Sequence, residues 1–379
     1  MKISNVRVYT INLPTDTWML VTIETSNGIV GWGEITDSFN DTSLAEIIVE
    51  ARQALIGKNP LHIQDCLKDF YTWVYPVKNS IRLYRTALSG LDQALWDISA
   101  KFHNLPLYAL YGGDGTSSIP LYANLNKAIR NNRSAQALKD SGELAYKAGF
   151  KMVKCTPFDE ITPRSTYNIL DRGFERFAAL AEALPIGAIS IDCHQRFERH
   201  TLSQMVERVL TEYGNPYWIE DPVDILDYKT MEIMNSRFPE VLWAAGEDSI
   251  NERQLHTTIA SGTYGVLMPD VKYIGGPSVV KSIIPYAQAL GFRVTLHNPN
   301  GIIATAHSAH LSALCQNDFP MEFPFQAVMQ REILATPQEM IKDGRYVFTD
   351  APGIGIEITK EALKEYGTEF HHGAWKAIQ

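Results

Sequence analysis

Acidic residues end three consecutive apolar segments of this 379-residue sequence. Asp192 lies in SIDCHQRF, Glu220 in WIED and Glu247 in AAGED, so the intervals are 28 and 27 residues. If each segment is a strand and each interval holds one helix, neighbouring strands bring three carboxylates to one place. Such groups repel one another unless a cation lies between them, and an all-oxygen ligand set favours Mg²⁺ over Zn²⁺. The spacing therefore predicts a magnesium site.

An aspartate and a histidine end the next two apolar segments. Asp270 lies in MPDV and His297 in TLHN, again 27 residues apart. On neighbouring strands the carboxylate would orient the imidazole and raise its basicity, as a general base near neutral pH requires. His194, a second imidazole, follows Asp192 by two residues and therefore shares its face of the strand.

Eight short apolar segments would place these side chains at one edge. They alternate with amphipathic stretches, and they read IPLYANL, KMVKCT, AISIDCH, YWIED, LWAAGED, GVLMPDV, RVTLHN and PMEFPF. This alternation predicts an α/β protein with a parallel sheet, and eight strands can close a TIM-like (β/α)8 barrel whose active site lies at the carboxyl ends of the strands. The second and eighth segments add Lys154 and Glu322, and strand parity turns Thr156 inward.

The sequence that precedes the barrel predicts a smaller α+β unit. Residues 1 to about 35 alternate like antiparallel strands with a hairpin turn at Asn27–Gly28, and helical periodicity follows from about 43 to 112. We therefore predict a capping domain over residues 1–115 and a barrel over 116–340. Residues 341–379 are predicted to be a C-terminal segment that packs on the cap.

Composition excludes several functional classes. The formal net charge of −9 and the lack of a basic run argue against a nucleic-acid partner. The N-terminus lacks the apolar stretch of a signal peptide, and no segment is long and apolar enough to predict a membrane span. The four cysteines are scattered without a C-x-x-C pair, which is typical of reduced thiols. These features favour a cytoplasmic enzyme.

The motifs, taken together and in this order, resemble the enolase superfamily and its mandelate racemase subgroup. The resemblance covers nearly the whole chain, and it rests on NGIVGWGE, ALSGLDQALWD, LPLYALYGG, GFKMVKC, IDCH, WIEDP, AAGED, MPDVKYIGG, HNPNGIIATA, MEFP and APGIGIE. It implies an α+β cap, built from both termini, over a (β/α)8 barrel. It also implies a Mg²⁺ cofactor, an enediolate intermediate and a homo-oligomer.

The resemblance assigns roles to strand-end residues. His297 and Asp270 match the general-base dyad of the family. Lys154 matches the first lysine of a Lys-x-Lys motif that neutralises the substrate carboxylate, and Glu322 matches an acid that hydrogen-bonds a carboxylate oxygen of the substrate. The residues that match the Mg²⁺ ligands are Asp192, Glu220 and Glu247.

One position departs from the family pattern. Thr156 stands where the second lysine of the motif, the base on the opposite face of the substrate, is expected. A threonine hydroxyl is too weakly basic to remove a carbon-bound proton, so two-base racemisation loses support. His194 instead resembles the general acid of D-galactonate dehydratase-like members, which carry Asp-x-His on the third strand. The resemblance thus implies a hydro-lyase that acts on a sugar acid and forms a 2-keto-3-deoxy acid.

Other activities and contacts follow less directly from the same residues. A cycloisomerase, a lactonase or a one-base epimerase could use the same site, and a non-catalytic sugar-acid binder is a further alternative. The resemblance implies substrates of R configuration at C2, such as gluconate, galactonate or arabinonate. A cap loop over residues 13–18 is expected to fold over the substrate. The further candidates for substrate contact are Thr156, Asn124, Asn298, Trp18, Arg82 and Arg85.

Overall fold

The computed structural model describes residues 1–37, 41–74, 81–113, 115–162, 165, 169–315, 319–371 and 373–378. In that part of the chain no helix is both long and apolar enough to cross a membrane. All four cysteines are free thiols.

The cap consists of a five-stranded antiparallel sheet with helices from the N-terminal region. The sheet order is β17 (Ala374–Ala377), β16 (Gly367–His371), β1 (Ile3–Asn12), β2 (Thr17–Thr25) and β3 (Val30–Glu34), so the N-terminal and C-terminal regions share one sheet. Gly28 adopts a left-handed φ of 86° in the predicted hairpin turn between β2 and β3. The helices are α1 Asp41–Leu55, α2 Ile63–Val74, α3 Ile81–Phe102 and α4 Leu107–Tyr111.

Eight parallel strands, each followed by a helix or by the C-terminal segment, form the second unit. The first seven strands pair in chain order, and the eighth pairs with the first. They are β4 Ser118–Asn124, β5 Val153–Cys155, β6 Ile189–Asp192, β7 Ile219–Glu220, β8 Trp243–Ala245, β9 Val266–Leu267, β10 Arg293–Val294 and β11 Met321–Pro324. The helices are α5 Ala135–Lys147, α6 Leu170–Ala183, α7 Arg199–Glu212, α8 Tyr228–Arg237, α9 Glu252–Ser261, α10 Pro277–Ala289 and α11 Ile302–Ser312.

Two kinds of contact bring the ends of this sheet together. β11 pairs in parallel with β4 over four residues, which joins the eighth strand to the first. Between β10 and β11 the described residues make no backbone ladder, and side chains bridge the gap instead. Thr295 Oγ1 donates to Pro320 O at 2.7 Å, and Asn298 Nδ2 donates to Glu322 O at 3.1 Å. The predicted architecture, a (β/α)8-type barrel under an α+β cap, is confirmed.

The C-terminal segment divides between the two units, which differs from the prediction that residues 341–379 pack on the cap. Its first part, β13 Ile341–Lys342 and β14 Arg345–Val347, joins the barrel sheet because β14 pairs with Ser118–Pro120 of β4. β4 begins three residues before its pairing with β11, and β14 satisfies the edge that would otherwise be open. α12 Lys360–Tyr366, β16 and β17 pack on the cap, while β12 Ala335–Thr336 pairs with β15 Glu357–Ile358.

Two buried carboxylates of the cap bind the N-termini of barrel helices. Asp92 of α3 accepts hydrogen bonds from the backbone N–H and the hydroxyl of Ser278, both at 2.7 Å, in the first turn of α10. Glu34 of β3 accepts from the N–H groups of Gly301 and Ala304, at 2.8 and 3.0 Å, where α11 begins. Helix N-termini carry unpaired N–H groups and a partial positive charge, so both contacts favour docking of the cap.

Burial of Asp92 makes this docking sensitive to pH. Burial raises the pKa of Asp92 from 3.8 to about 7, although the hydrogen bonds from Ser278 oppose the change. A raised pKa means that the folded state holds a proton that the unfolded state releases. The proton on Asp92 therefore makes its full contribution to the free energy of unfolding below pH 3.8, and this contribution is lost as the pH rises through 7.

We expect the Asp92→Asn variant to gain stability relative to the wild type as the pH rises from 4 to 8. The neutral amide keeps an acceptor for Ser278 and has no carboxyl proton to lose. The relative gain in the free energy of unfolding should reach about 4 kcal/mol. Melting temperatures of both proteins across this pH range would measure the difference, with the exposed Asp65→Asn as a control. A difference that does not change with pH would contradict the prediction.

Candidate active site at the carboxyl ends of the barrel strands

The three predicted metal ligands meet at one point. Asp192 and Glu220 end the adjacent strands β6 and β7, where they occupy paired register positions, and Glu247 follows β8 by two residues. One carboxylate oxygen from each lies within 4.8 Å of the other two. Strand register therefore places the first two ligands, while a short extension of the chain beyond β8 places the third.

The unpaired atoms of this cluster fit a divalent cation. Asp192 Oδ2 and Glu247 Oε2 are buried and accept no hydrogen bond from the residues that the structure describes. Ring nitrogens are the nearest groups, since His194 Nε2 lies 3.1 Å from the first oxygen and His297 Nε2 lies 3.0 Å from the second. Buried, unpaired carboxylate oxygens are costly, and three carboxylates form a ligand set suited to Mg²⁺.

The pKa values of these carboxylates show that the cluster carries an excess of buried negative charge. Burial raises the pKa of Glu220 to about 7, against the opposing effect of Lys154. Burial and then the charge of Asp221 hold the pKa of Glu247 well above its usual range. Burial would also raise the pKa of Asp192, but the nearby charges of His194 and Lys154 outweigh it and lower that pKa. Without a cation, the carboxylates compete for protons.

Lys154 is the one lysine that reaches this cluster among the described residues. Its side chain is buried, and its Nζ lies 2.6 Å from Glu220 Oε1, 3.0 Å from Glu322 Oε1 and 3.4 Å from Asp192 Oδ2. A single ammonium group thus joins the second, third, fourth and eighth strands of the barrel.

The predicted dyad has the geometry of an oriented base. His297 Nδ1 lies 2.9 Å from Asp270 Oδ2, and Asp270 is fully buried. Burial would raise the pKa of Asp270, but Lys272 and the hydrogen bond with His297 lower it. Lys272 had no role in the sequence prediction, although it follows Asp270 in MPDVKYIGG. The free nitrogen of the ring, Nε2, faces the acidic cluster at Glu247.

His194 approaches the cluster from another strand. Its backbone is left-handed, with φ of 48°, and its N–H donates to Asp192 Oδ1 at 3.2 Å. This conformation is costly for a residue other than glycine, and it turns the ring back toward Asp192. The side chain is 38% exposed, so a ligand could reach it. The charge of Asp192 raises the pKa of His194 to about 9, although burial opposes the change.

Two predicted substrate contacts instead position Glu322. Asn124 Nδ2 donates to Glu322 Oε1 at 2.5 Å, and the backbone N–H of Asn298 donates to Oε2 at 2.7 Å. The side chain of Asn298 is itself engaged with Thr305 and with the carbonyl of Glu322. Burial would raise the pKa of Glu322, but Lys154 and then His297 lower it.

Thr156 is held by two residues that sequence reasoning missed. Its hydroxyl donates to Asn126 Oδ1 at 2.8 Å and accepts from Arg133 Nη2 at 2.7 Å. Arg133 also forms an ion pair with Asp159. Asn126 follows the strand-end residue Asn124 by two positions, which could have identified it, but nothing in the sequence marks Arg133. The Thr156 hydrogen is thus already committed to the protein.

The cap residue Trp18 is not positioned to contact a substrate. The expected loop over residues 13–18 is shorter, because β2 begins at Thr17, and Trp18 therefore belongs to the sheet. Its side chain is 1% exposed and packs near Gly301 and the guanidinium of Arg331. The Trp18 ring instead contributes to the packing between cap and barrel.

The predicted contacts Arg82 and Arg85 lie at the boundary between cap and barrel. Arg82 donates to Asp248 Oδ1 at 2.6 Å, its Nε lies 3.4 Å from Asp37, and its guanidinium stacks on Tyr273. Arg85 lies beside Gly275. Arg82 therefore connects α3 of the cap to the residue that follows Glu247, a contact that the sequence did not reveal.

We expect Lys154→Met to destabilise the metal-free protein by about 3 kcal/mol or more, because removal of one partner leaves buried charges uncompensated. Added Mg²⁺ should restore part of the loss. Chemical denaturation with and without a chelator would measure both effects, and the exposed Lys151→Met is the matched control. Equal stabilities for the two variants without metal would contradict this role of Lys154.

Known proteins are similar to this chain in sequence and in fold. The N-terminal domain model of the mandelate racemase/muconate lactonizing enzyme family matches residues 5–112, and the enolase C-terminal domain-like model matches residues 137–362. D-gluconate dehydratase of Thermoproteus tenax is 26% identical over 93% of this chain and 70% of its own length. D-galactonate dehydratase of Pectobacterium atrosepticum is 26% identical over 96% and 94% of the two chains.

A solved structure shares the fold of this chain. The 3,6-anhydro-D-galactonate cycloisomerase of Zobellia galactanivorans superposes with a TM-score of 0.83 over 97% of this chain and 99% of its own, at 21% identity. At that identity the likeness concerns the fold alone. The two family models together cover most of the sequence, including the three predicted metal ligands, Lys154, Glu322 and the Asp270–His297 dyad. The chain therefore belongs to the mandelate racemase/muconate lactonizing enzyme family of the enolase superfamily.

Proposed function

We propose that this protein is a Mg²⁺-dependent hydro-lyase that dehydrates a sugar acid to a 2-keto-3-deoxy acid. One observation carries the proposal. His297 and His194 approach two different carboxylates of the same acidic cluster, at 3.0 and 3.1 Å, from separate strands. The dehydratases of gluconate and galactonate that are 26% identical to this chain support the same reaction class.

Asp192, Glu220 and Glu247 would hold the cation. When bound, Mg²⁺ would polarise the substrate carboxylate and stabilise the charge that develops on its oxygens. Lys154 adds a positive charge on the adjacent strand. Glu322 accepts hydrogen bonds through both oxygens, so it must take up a proton before it can donate one to a substrate carboxylate. The approach of a second negative charge favours that uptake.

His297 would remove the proton from C2. Its Nδ1 lies 2.9 Å from Asp270, which fixes the proton on that nitrogen and leaves the lone pair of Nε2 toward the barrel mouth. Thr156 cannot act as a base on the other face, because its hydroxyl is weakly basic and already bonded to Asn126 and Arg133. Proton removal from a single face suits elimination better than racemisation.

His194 would donate a proton to the departing 3-hydroxyl. Hydroxide is a poor leaving group, and protonation lets it depart as water while the C2–C3 double bond forms. The resulting enol then takes up a proton at C3 and becomes the 2-keto-3-deoxy acid. The left-handed backbone at His194 and Gln195 directs the ring to the cluster. The family resemblance suggests an aldonate of R configuration at C2, such as gluconate, galactonate or arabinonate.

Replacement of the two histidines should impair different steps of the reaction. We expect His297→Asn to lose both dehydration and exchange of the C2 proton with solvent, since it removes the base. His194→Asn should lose dehydration by roughly 100-fold to 10,000-fold but retain C2 exchange. Semicarbazide trapping of the 2-keto acid and deuterium incorporation followed by NMR would measure the two steps.

The exposed His256→Asn serves as a control that should leave both steps unchanged. Full dehydratase turnover by His194→Asn would refute the acid assignment. Screening aldonic and aldaric acids with Mg²⁺ would identify the substrate for these experiments. A turnover product without a 2-keto group would favour a cycloisomerase, lactonase or epimerase, and binding with no C2 exchange would favour a non-catalytic binder.

A further inference from the structure

A second acidic group lies against the predicted magnesium site. One carboxylate oxygen each from Asp221, Glu247 and Asp248 lies within 4.8 Å of the other two. Glu247 belongs to both groups. We propose that Asp221 and Asp248 hold a second divalent cation, with Glu247 as a ligand shared between the two ions. The proposal concerns cation binding, so it can be tested without a substrate.

Asp221 is the observation that points to a ligand. The residue is 1% exposed, and neither of its carboxylate oxygens has a hydrogen-bond partner among the described residues. Its position is fixed by the backbone, because its N–H donates to Ala244 O at 2.9 Å and its carbonyl accepts from the N–H of Gln195 at 2.6 Å. A buried carboxylate with two unpaired oxygens is destabilising unless a proton, a water or a cation satisfies it.

The neighbouring cations do not reach Asp221. Lys154 is engaged with Glu220, Glu322 and Asp192, and in the described part of the chain no lysine or arginine nitrogen lies within 4.0 Å of Asp221 or Glu247. Arg82 pairs with Asp248, but it also lies 3.4 Å from Asp37. The first cation alone would leave this side of the barrel mouth with an excess of negative charge.

Asp248 supplies an oriented ligand that is open to solvent. Arg82 contacts its Oδ1 at 2.6 Å and Gln195 donates to its Oδ2 at 3.0 Å, which fixes the carboxylate while each oxygen keeps a second acceptor site. Its side chain is 45% exposed, so an ion could retain several waters. All-oxygen ligands and retained waters are typical of Mg²⁺ or Mn²⁺. Ions that share a carboxylate lie about 3.5–4 Å apart.

Counting Mn²⁺ ions on the full-length protein tests the proposal. After removal of metal by a chelator, equilibrium dialysis should find two Mn²⁺ per wild-type chain and one for Asp221→Asn. The exposed Asp224→Asn, three residues away, is the matched control and should keep two. Electron paramagnetic resonance should show spin coupling between neighbouring Mn²⁺ ions in the wild type, and Asp221→Asn should abolish it.

Asp248→Asn is a second variant, chosen because its exposed side chain should tolerate replacement, and it should weaken the second Mn²⁺ by at least tenfold. One Mn²⁺ per wild-type chain, or an unchanged count in Asp221→Asn, would overturn the proposal and leave Asp221 with a proton or a water. Loss of both ions in a folded Asp221→Asn would also overturn it. Asp192→Asn should remove the first ion only, which separates failure of the dehydratase site from failure of this one.

Discussion

The concentration of buried carboxylates at the barrel mouth is the constraint on which the rest of the site depends. Asp192, Glu220 and Glu322 share one buried ammonium group, Lys154, and Glu247 lies beside this group without an ion pair to a lysine or arginine of the described residues. In an interior of low dielectric this charge distribution is unfavourable by itself, and it persists because the barrel strands hold the side chains in place. The same excess of negative charge would favour a bound cation, and two imidazoles lie within 3.1 Å of its carboxylates.

Strand ends position some of these side chains, and loops with a strained backbone position the others. The dyad and the first two carboxylates lie at or near strand ends, where the sheet leaves little freedom. His194, Gln195 and Asp221 all have positive φ, at 48°, 56° and 39°. Such conformations cluster at functional sites because the surrounding structure must maintain them. These three residues lie in the loops after β6 and β7, where side chains turn back over the barrel.

The cap contributes to the site mainly by docking. Asp92 and Glu34 bind the N-termini of two barrel helices, and Arg82 reaches Asp248 beside the predicted metal ligand Glu247. All three contacts are polar and directional, and the carboxylates of Asp92 and Glu34 are buried, so they define one orientation of the cap more strictly than apolar packing alone would. The side of the barrel mouth that carries Glu247 and Asp248 is thereby linked to the position of α3.

Three features of the sequence were sufficient to predict the barrel, the cap, the acidic cluster and the Asp270–His297 dyad. They are the periodicity of apolar residues, the alternation of side chains along each strand and the regular interval between strand ends. Each depends on local geometry that is repeated along the chain. The contacts of Arg82, Arg133 and Asp221 required the folded structure. Arg82 meets Asp248 across 166 residues of sequence, and no local pattern specifies such a pair. Trp18 was misjudged for the same reason, since only the docked barrel determines that its ring is buried. The sequence shows which charged and polar side chains are present, but long-range packing determines which of them have a hydrogen-bond or ion-pair partner.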